Sequence, residues 1–562
     1  MHKPCASAWC KSAFEVSAGD LGLLEKLSPT IGGRKIPIPP PALCPDCRQQ
    51  RRIVWRNERS LYHRPCGLCG KTIVSVYSAD SGLTVYCPEC FWQDGWDPRS
   101  SGREMDFSRP FFPQLKEVMM STPFLSNVVV NCVNSDFNSF CVDTKDAYMS
   151  ARVADSEHIY FCYLPLFSLY CIDSYGVDHC QYCYECIDCW SCYESFFSQL
   201  CRNCTNVQLC YCCTGCKNCV GCVNLRNASN CFFNEQLSPD EYGKRLAELR
   251  LSTIGGLERA KERFDDLRRR HPVRAVFMLQ SENALGDYIS NSRDVSRSFD
   301  VDQSESVSYS WGVEYSRDIG DADFIYYGER CYENISNSRS TDIYFSFAAF
   351  QGTHDVFYCL LPFNGTRDCF GCAGLKHAEY CILNKQYSKE EYERLAPKII
   401  THMRSTGEWG EFFPMELSPF AYNETVAHEY FPLREEEAAA RGWKWKDQYD
   451  EMQKVTKVIP ASQLPDSLDD IPDDILNWAI ECAATKRPFK IIKQELDFYR
   501  RMGLPVPHFH PDERFRRRTA LRNPRKLWKR NCANCQKPIA TSYSPERPER
   551  VYCEECYLKE VY

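Results

Sequence analysis

Residues 180–192 read CQYCYECIDCWSC, with a cysteine at every third position. Between residues 132 and 231 the chain has eighteen cysteines, and all of them except Cys212 occupy positions divisible by three. A period of three fits neither the 3.6-residue repeat of an α-helix nor the alternation of an ordinary strand. It is typical of a narrow solenoid, in which one small residue per short side points inward and stacks on the next coil. The sequence therefore predicts a β-solenoid-like region.

A second copy of this region follows with fewer cysteines. A shift of 148 residues lays CYECI (183–187) over CYENI (331–335), and a shift of 150 lays 219–242 over 369–392. In this alignment Cys162 becomes Ser310 and Cys186 becomes Asn334. Because zinc ligands would not survive such exchanges, we interpret the central thiols as compact core groups. Metal binding stays open for the cysteines that both copies keep, which are Cys219, Cys222 and Cys231 with Cys369, Cys372 and Cys381.

The two ends of the chain carry paired Cys-x-x-Cys motifs with the same spacing. A shift of 466 residues lays 66–91 over 532–557, and both stretches read C-x2-C-x17-C-x2-C. Zinc binds four such thiolates in a tetrahedron, and a third, less regular cysteine set lies at the N-terminus. We predict three zinc sites, formed by Cys5, Cys10, Cys44 and Cys47, by Cys66, Cys69, Cys87 and Cys90, and by Cys532, Cys535, Cys553 and Cys556.

The C-terminal copy of the first cysteine set is degenerate. Only Cys482 could stand for Cys5, and His510 takes the position of Cys44. We expect this copy to have lost its metal, and we do not favour a weak site formed with His508 and His510.

Arginines accompany the zinc motifs at both ends. Residues 44–72 carry a net charge of +5 and residues 509–532 one of +7, although the whole chain has −7. Cys47 leads directly into the first cluster, which we predict as a helix in a treble-clef-like arrangement. All six arginines of that cluster recur at the shift of 466, and the two sets are Arg48, Arg51, Arg52, Arg56, Arg59 and Arg64, and Arg514, Arg517, Arg518, Arg522, Arg525 and Arg530.

Two interpretations of these arginines stay open. All six positions are arginine in both copies and none is replaced by lysine, which indicates planar, bidentate recognition of phosphate. This interpretation predicts a nucleic-acid interface for RNA or a ribonucleoprotein in preference to DNA. In the alternative, the arginines pair with the acidic remainder of the chain and dock the end modules internally. The solenoid surface would then bind another protein, and the molecule would be a scaffold.

Other classes of function find little support in the sequence. No catalytic motif appears and histidine is scarce, at 11 residues, so we predict a non-enzymatic protein and keep an enzyme with an unfamiliar site as a third alternative. The start MHKPCASAWCKSAF has no apolar export segment, and no run of about eighteen apolar residues indicates a membrane span. With 36 cysteines and no export signal, we expect a cytoplasmic location and no membrane partner.

These features predict a mainly β fold, with treble-clef or zinc-ribbon modules at both ends of a tandemly duplicated solenoid-like region. Each repeat ends in a capping helix, with capping-box starts at Ser238 and Ser388. The predicted boundaries are 1–98 for a module with two zinc sites and the arginine helix, 99–122 for a linker, 123–274 for repeat unit one, 275–458 for repeat unit two with an aromatic-rich tail, 459–474 for a second linker, and 475–562 for the degenerate module with one intact zinc site.

The stretches CPDCRQQRRIVWRNERSLYHR, CVGCVNLRN and YCILNKQYSKEEY resemble a group of uncharacterised cysteine-rich zinc-ribbon proteins of the candidate-phyla bacteria with reduced genomes. The resemblance covers nearly the whole chain, including WGEFFP, SPFAYNET and YFPL. It implies zinc binding but no established activity. In that group the first knuckle is usually Cys-x-x-Cys, so CASAWC departs from the pattern.

Overall fold

The computed structural model describes residues 1–326, 328–338, 341–350, 352–447, 455 and 457–561. Parts of the predicted repeat unit two (327, 339–340, 351, 448–454 and 456) and the last residue of the predicted C-terminal module lie outside the described residues. Helix accounts for 26% of the chain and strand for 33%. The fold is therefore mixed, and the expectation of a mainly β protein holds only in part.

The N-terminal region combines short hairpins with four helices. Helix formation in the arginine-rich segment begins where Pro45 follows Cys44, since proline is well suited to the first helical position. The elements are β1 His2–Pro4, β2 Ala13–Glu15, α1 Ala18–Leu27, β3 Thr30–Ile31, β4 Arg34–Lys35, α2 Pro45–Ile53, β5 Tyr62–Pro65, β6 Thr72–Ser75, β7 Val85–Tyr86, α3 Pro88–Trp92, α4 Phe111–Ser121 and β8 Phe124–Leu125.

The segment 99–122, expected to be a linker, contains α4 and is part of the core. Phe111 and Leu115 are buried, and the Glu408 carboxylate accepts hydrogen bonds from the backbone N–H groups of Phe111 and Phe112 at 2.9 and 2.8 Å. An acidic side chain at a helix N-terminus satisfies donors that the helix itself cannot pair.

The cysteine-rich region forms a row of short parallel strands, which we call the first strand row (β9–β22). From β10 to β19 alternate strands belong to two sheets, one of six strands and one of nine, and β20–β22 continue the nine-stranded sheet. Two helices follow the row. The elements are β9 Val129–Val130, β10 Ser139–Val142, β11 Lys145–Tyr148, β12 Ala151–Ala154, β13 Glu157–Tyr160, β14 Tyr163–Leu166, β15 Leu169–Ile172, β16 Tyr175–Asp178, β17 Gln181–Tyr184, β18 Ile187–Trp190, β19 Tyr193–Phe196, β20 Thr205–Gln208, β21 Lys217–Val220, β22 Ser229–Phe232, β23 Glu235–Gln236, α5 Pro239–Leu249 and α6 Ile254–Arg270.

The register of the first strand row is twelve residues. Cys171 pairs with Cys183, which pairs with Ser195. The backbone turns into the left-handed region just before each inward position, and His179 and Tyr182 have φ angles of 51° and 53°. Every third residue thus turns a corner, which explains the sequence period of three.

Cysteine and serine play the same part inside the first strand row. The Ser168 hydroxyl donates to the Leu166 carbonyl at 2.7 Å and accepts from the Cys180 N–H at 3.1 Å. The Cys162 thiol likewise lies 3.4 Å from the Tyr160 carbonyl and accepts from the Ser174 N–H at 3.4 Å. This equivalence supports the interpretation of the central thiols as core groups that also satisfy the backbone.

The second strand row (β25–β36) follows the same design with an aliphatic and serine core. Val295, Val307 and Ile319 are stacked inward and buried. The elements are β24 Val273–Arg274, β25 Met278–Leu279, β26 Glu282–Ser290, β27 Arg293–Asp302, β28 Glu305–Ser308, β29 Trp311–Glu314, β30 Arg317–Tyr326, β31 Glu329–Ser338, β32 Thr341–Tyr344, β33 Phe347–Ala349, β34 His354–Phe357, β35 Arg367–Phe370, β36 Cys381–Ile382, β37 Lys385–Gln386, α7 Lys389–Ser405, α8 Val426–Tyr430 and α9 Glu435–Ala439.

The C-terminal region repeats the design of the N-terminal one. Its elements are β38 Lys457–Pro460, β39 Trp478–Glu481, β40 Pro488–Phe489, α10 Lys493–Met502, α11 Pro511–Thr519, β41 Trp528–Asn531, β42 Pro538–Thr541, β43 Val551–Tyr552 and α12 Glu554–Val561. Within the described residues, no helix is long and apolar enough to cross a bilayer.

The segment 459–474, expected to be the second linker, is ordered. β38 pairs in parallel with β39, and short 3-10 helices follow it. The Asp466 carboxylate accepts the Gly255 N–H at 2.9 Å, so this segment also fixes the start of α6.

The end regions dock crosswise. Trp55 of the N-terminal region is buried against Phe347 of the second strand row, with ring centroids 6.0 Å apart. Tyr499 of the C-terminal region is buried against Tyr184 of the first strand row, with centroids 5.4 Å apart. Each end of the chain therefore packs on the strand row that is more distant in sequence.

Candidate functional site

The structure brings each of the three predicted cysteine tetrads together. In every tetrad the four sulfur atoms lie within 4.8 Å of one another. Three sulfur–sulfur distances are 3.7 Å for Cys10 and Cys44, 4.0 Å for Cys69 and Cys87, and 3.7 Å for Cys535 and Cys553. Zinc–sulfur bonds of about 2.3 Å in a tetrahedron place the sulfurs about 3.8 Å apart. The tetrads therefore fit a metal ion that prefers four thiolates.

Backbone N–H groups support the thiolates. Burial opposes ionisation of Cys66, but the N–H groups of Cys69 and Cys87 point to its sulfur and lower its pKa to about 6. The matching groups of Cys535 and Cys553 likewise overcome burial and lower the pKa of Cys532 to about 6. A thiol ionised at neutral pH is the form that binds metal.

The local fold around each tetrad is a hairpin that carries one knuckle at its tip. β5 pairs with β6 around Cys66 and Cys69, and β41 pairs with β42 around the equivalent pair. The hairpin therefore spans the first knuckle and not the spacer between the two knuckles. The second knuckle then opens a helix, α3 or α12.

The degenerate copy of the first tetrad keeps the turn but not the ligands. The Cys482 carbonyl accepts the Lys486 N–H at 3.1 Å, as in an intact knuckle. The His510 ring instead accepts the Asp512 N–H at 3.1 Å and caps α11. Among the described residues, Cys482 and His510 belong to no group of three converging ligand atoms.

The thiols of the strand rows form no comparable group. In the described part of the chain, the sets of three or more ligand atoms within 4.8 Å are the three tetrads and a half-buried group of Asp146, Glu157 and His158. The cysteines left open by the sequence, around Cys219 and around Cys369, are not among them. Their sulfurs contact backbone carbonyls instead, as Cys219 does with Lys217 at 3.5 Å.

The predicted arginine helix is shorter than expected. α2 ends at Ile53, so Arg56 and Arg59 follow the helix and Arg64 lies on β5. α11 ends at Thr519, and the corresponding arginines again follow it. Of the six arginines of the first cluster, α2 therefore carries only Arg48, Arg51 and Arg52.

The arginines of α2 are buried against carboxylates of the second strand row. Arg48 pairs with Asp321 at 2.8 Å, and Arg52 pairs with Asp321 at 3.1 Å and with Asp323 at 2.9 Å. The Arg52 side chain has no exposed surface. Arg51 completes the cluster by pairing with Glu333 at 2.8 Å and with Glu411.

The C-terminal module repeats this arrangement on the first strand row. Arg514 pairs with Asp173, and Arg518 pairs with Asp173 at 2.8 Å and lies 3.8 Å from Glu185. Asp173 and Glu185 correspond to Asp321 and Glu333 at the repeat shift of 148 residues. Equivalent arginines of the two modules thus meet equivalent carboxylates of the two strand rows.

Three further arginines join parts of the molecule to one another. Arg59 pairs with Asp512 at 2.5 Å and connects the two modules. Arg522 pairs with Asp188 at 2.8 Å and with Asp300 at 2.9 Å, which lie on different strand rows, and Arg525 also reaches Asp300 at 2.9 Å.

Four of the predicted arginines act within their own module, and Arg517 is one of them. Arg64 donates to the carbonyls of Ser78 and Leu83 at 2.9 and 2.8 Å, and Arg530 donates to those of Ser544 and Glu549 at 3.1 and 3.3 Å. These bonds fix the spacer between the knuckles. Arg56 pairs with Glu58, and both side chains are buried.

Four of the arginines predicted to bind nucleic acid are buried in their ion pairs. A phosphate backbone needs exposed guanidinium groups, whereas Arg48, Arg52, Arg514 and Arg518 have side chains that are at most 3% exposed. In this set Arg517 keeps a half-exposed side chain, at 50%, and it pairs with Glu513 of its own helix.

The carboxylate partners were missed in the sequence. Glu185 and Glu333 lie in the aligned motifs CYECI and CYENI, and Asp173 aligns with Asp321. Acidic residues kept at matching positions of a duplicated core region, beside a duplicated arginine cluster, were the signal that could have identified them. Comparison with models of known protein families and with curated protein sequences finds no match.

Proposed function

We propose that the protein is a metal-stabilised scaffold whose end modules clamp two rigid strand rows together. The observation that carries this proposal is the burial of equivalent arginines of both modules against equivalent carboxylates of both rows. Buried ion pairs of this kind favour one arrangement of parts because any other arrangement leaves charges unpaired. The surface left uncovered by the modules is then available to a partner.

We infer that each strand row is a β-solenoid. The twelve-residue register and a left-handed corner at every third residue together describe a coil with four short sides. Such coils give a stiff, regular surface, because each one contacts mainly its neighbours in the stack.

We also propose zinc as the metal of the three tetrads. Four thiolates in a tetrahedron suit zinc, and a closed set of four protein ligands is typical of a structural site. Cys44 and Cys47 flank the start of α2, so the metal would fix the helix that presents Arg48 and Arg52. Metal binding and module docking would then depend on each other.

An arginine-modification experiment separates this scaffold from the nucleic-acid alternative. Phenylglyoxal reacts with accessible guanidinium groups, and mass spectrometry locates the products. We expect Arg48, Arg52, Arg514 and Arg518 to resist modification in the metal-loaded protein and to react after the metal is removed. Arg434, whose side chain is 78% exposed, should react in both states. Rapid modification of the four arginines in the loaded protein would overturn the clamp and restore the nucleic-acid hypothesis for them.

A further inference from the structure

A second set of arginines lies on a face of the first strand row that the modules leave open. Trp190, Arg202, Thr214 and Arg226 stack in consecutive parallel bridges along that face. Neighbouring strands are about 4.8 Å apart, so Arg202 and Arg226 are separated by about 10 Å. Both arginines are exposed, and Trp190 is half-buried.

Three more arginines extend this set toward the last cysteine tetrad. The Arg274 guanidinium lies 4.9 Å from the Tyr557 ring, and the Tyr557 hydroxyl donates to Asn224, two residues before Arg226, at 3.0 Å. The exposed Arg550 donates to the carbonyl of the exposed Arg270 at 3.1 Å. We call Arg202, Arg226, Arg270, Arg274 and Arg550 the arginine strip.

Unlike the buried clusters, the strip carries most of its guanidinium groups at the surface. Arg274 pairs at 3.3 Å with Glu554, whose side chain is half exposed, at 50%. Partial burial and the charge of Arg274 together lower the pKa of Arg226. Like charges held this close on a surface are stabilised by a bound anion.

We propose that the arginine strip binds the phosphate backbone of single-stranded nucleic acid. Arginine suits phosphate because its planar fork donates two parallel hydrogen bonds. The Arg202 guanidinium lies 4.5 Å from the centre of the Trp190 ring, so an aromatic surface for stacking is next to a charged group. Bases stack on aromatic rings and on guanidinium planes, and this feature favours nucleic acid over an acidic polypeptide.

The proposal is tested by fluorescence anisotropy with a labelled oligo(U) of about twenty nucleotides, a probe that forms no duplex. With three to five phosphate contacts, affinity should fall about 20-fold to 100-fold between 50 and 200 mM salt, because each contact contributes about −0.7 to the logarithmic slope. The variant carrying Arg202→Glu and Arg226→Glu should bind at least about tenfold more weakly, with a slope shallower by about 1.4.

Arg434→Glu is the matched control, since Arg434 is exposed on α9 and lies outside the strip. This variant should bind within about twofold of the unchanged protein. Metal content and far-UV circular dichroism should be the same in all three proteins, because every substituted residue is exposed.

Three results would overturn the proposal. One is the absence of binding by the unchanged protein at low salt, and another is equal binding by the double variant. The third is equally effective competition by poly-glutamate of matched length, which would assign the strip to acidic polypeptides instead.

Discussion

Loss of the Asp321 carboxylate should release the N-terminal module from the second strand row. Asp321 is 5% exposed and lies between Arg48 at 2.8 Å and Arg52 at 3.1 Å. In an Asp321→Asn variant, Arg52 keeps Asp323, whereas Arg48 keeps the Leu43 carbonyl at 2.8 Å and the Tyr309 ring, neither of which is charged. A buried guanidinium is thus left without its charged partner.

The free-energy cost of this substitution is large because the ion pairs of Asp321 are buried. Removing one partner of a buried ion pair costs about 3–5 kcal/mol, which is large beside the stability of a typical domain. Local opening of the module should therefore become easier by about two to four orders of magnitude. Amide hydrogen exchange in α2, followed by mass spectrometry, measures this opening directly.

The crosswise docking makes the prediction specific. Asp321→Asn should accelerate exchange in α2, and Asp173→Asn should do so in α11, because Asp173 holds Arg514 and Arg518 there. Glu305→Gln is the control, since Glu305 pairs with the exposed Arg293 and Arg317, and such surface pairs contribute little. If Asp321→Asn leaves exchange in α2 within about threefold of the control, the clamp does not depend on these ion pairs.

Three further predictions concern the metal, the thiols and pH. Cys535→Ser should lower the metal content of the purified protein from three equivalents to two, measured by plasma mass spectrometry, and an unchanged value would exclude that tetrad as a site. Cys186→Ser should retain the fold and shift the urea midpoint by less than the equivalent of about 1.5 kcal/mol, because serine occupies equivalent inward positions. Burial outweighs the Arg52 charge and raises the pKa of Asp323 to about 6. Between pH 6 and pH 4 the folded protein therefore binds a proton at Asp323 that the unfolded chain does not bind. When the pH is lowered from 7 to 5, the free energy of unfolding of the unchanged protein should therefore rise by about 1 kcal/mol relative to that of Asp323→Asn. Urea titrations measure this difference, and a fall instead of a rise would contradict the raised pKa of Asp323.

The cysteine tetrads could be predicted from the sequence because their geometry is local. A Cys-x-x-Cys turn places two thiols together through short-range backbone hydrogen bonds, and the spacer is short enough to bring the second pair to them. The period of three around Cys183 and Cys186 could be predicted for the same reason, because the backbone turns a corner at every third residue. In both cases the residues that decide the structure are close together along the chain.

The role of the arginines could not be predicted because their partners are remote. Arg52 and Asp323 are separated by 271 positions, and Arg514 and Asp173 by 341. Excess positive charge indicates that an acidic partner exists, but it does not show whether that partner is a phosphate or the chain's own carboxylate. The choice is made by tertiary packing, which no local pattern encodes.

The correct match between module and strand row must be decided where the copies differ. Because Asp173 and Asp321 are equivalent, either row could accept the first arginine pair of either module. At the shift of 148, however, Asp323 of the second row corresponds to Tyr175 of the first. Were the N-terminal module to dock on the first row, Arg52 would lose a carboxylate at 2.9 Å and meet a phenol. Since a fully buried guanidinium is costly without its anions, this single difference favours the crosswise arrangement.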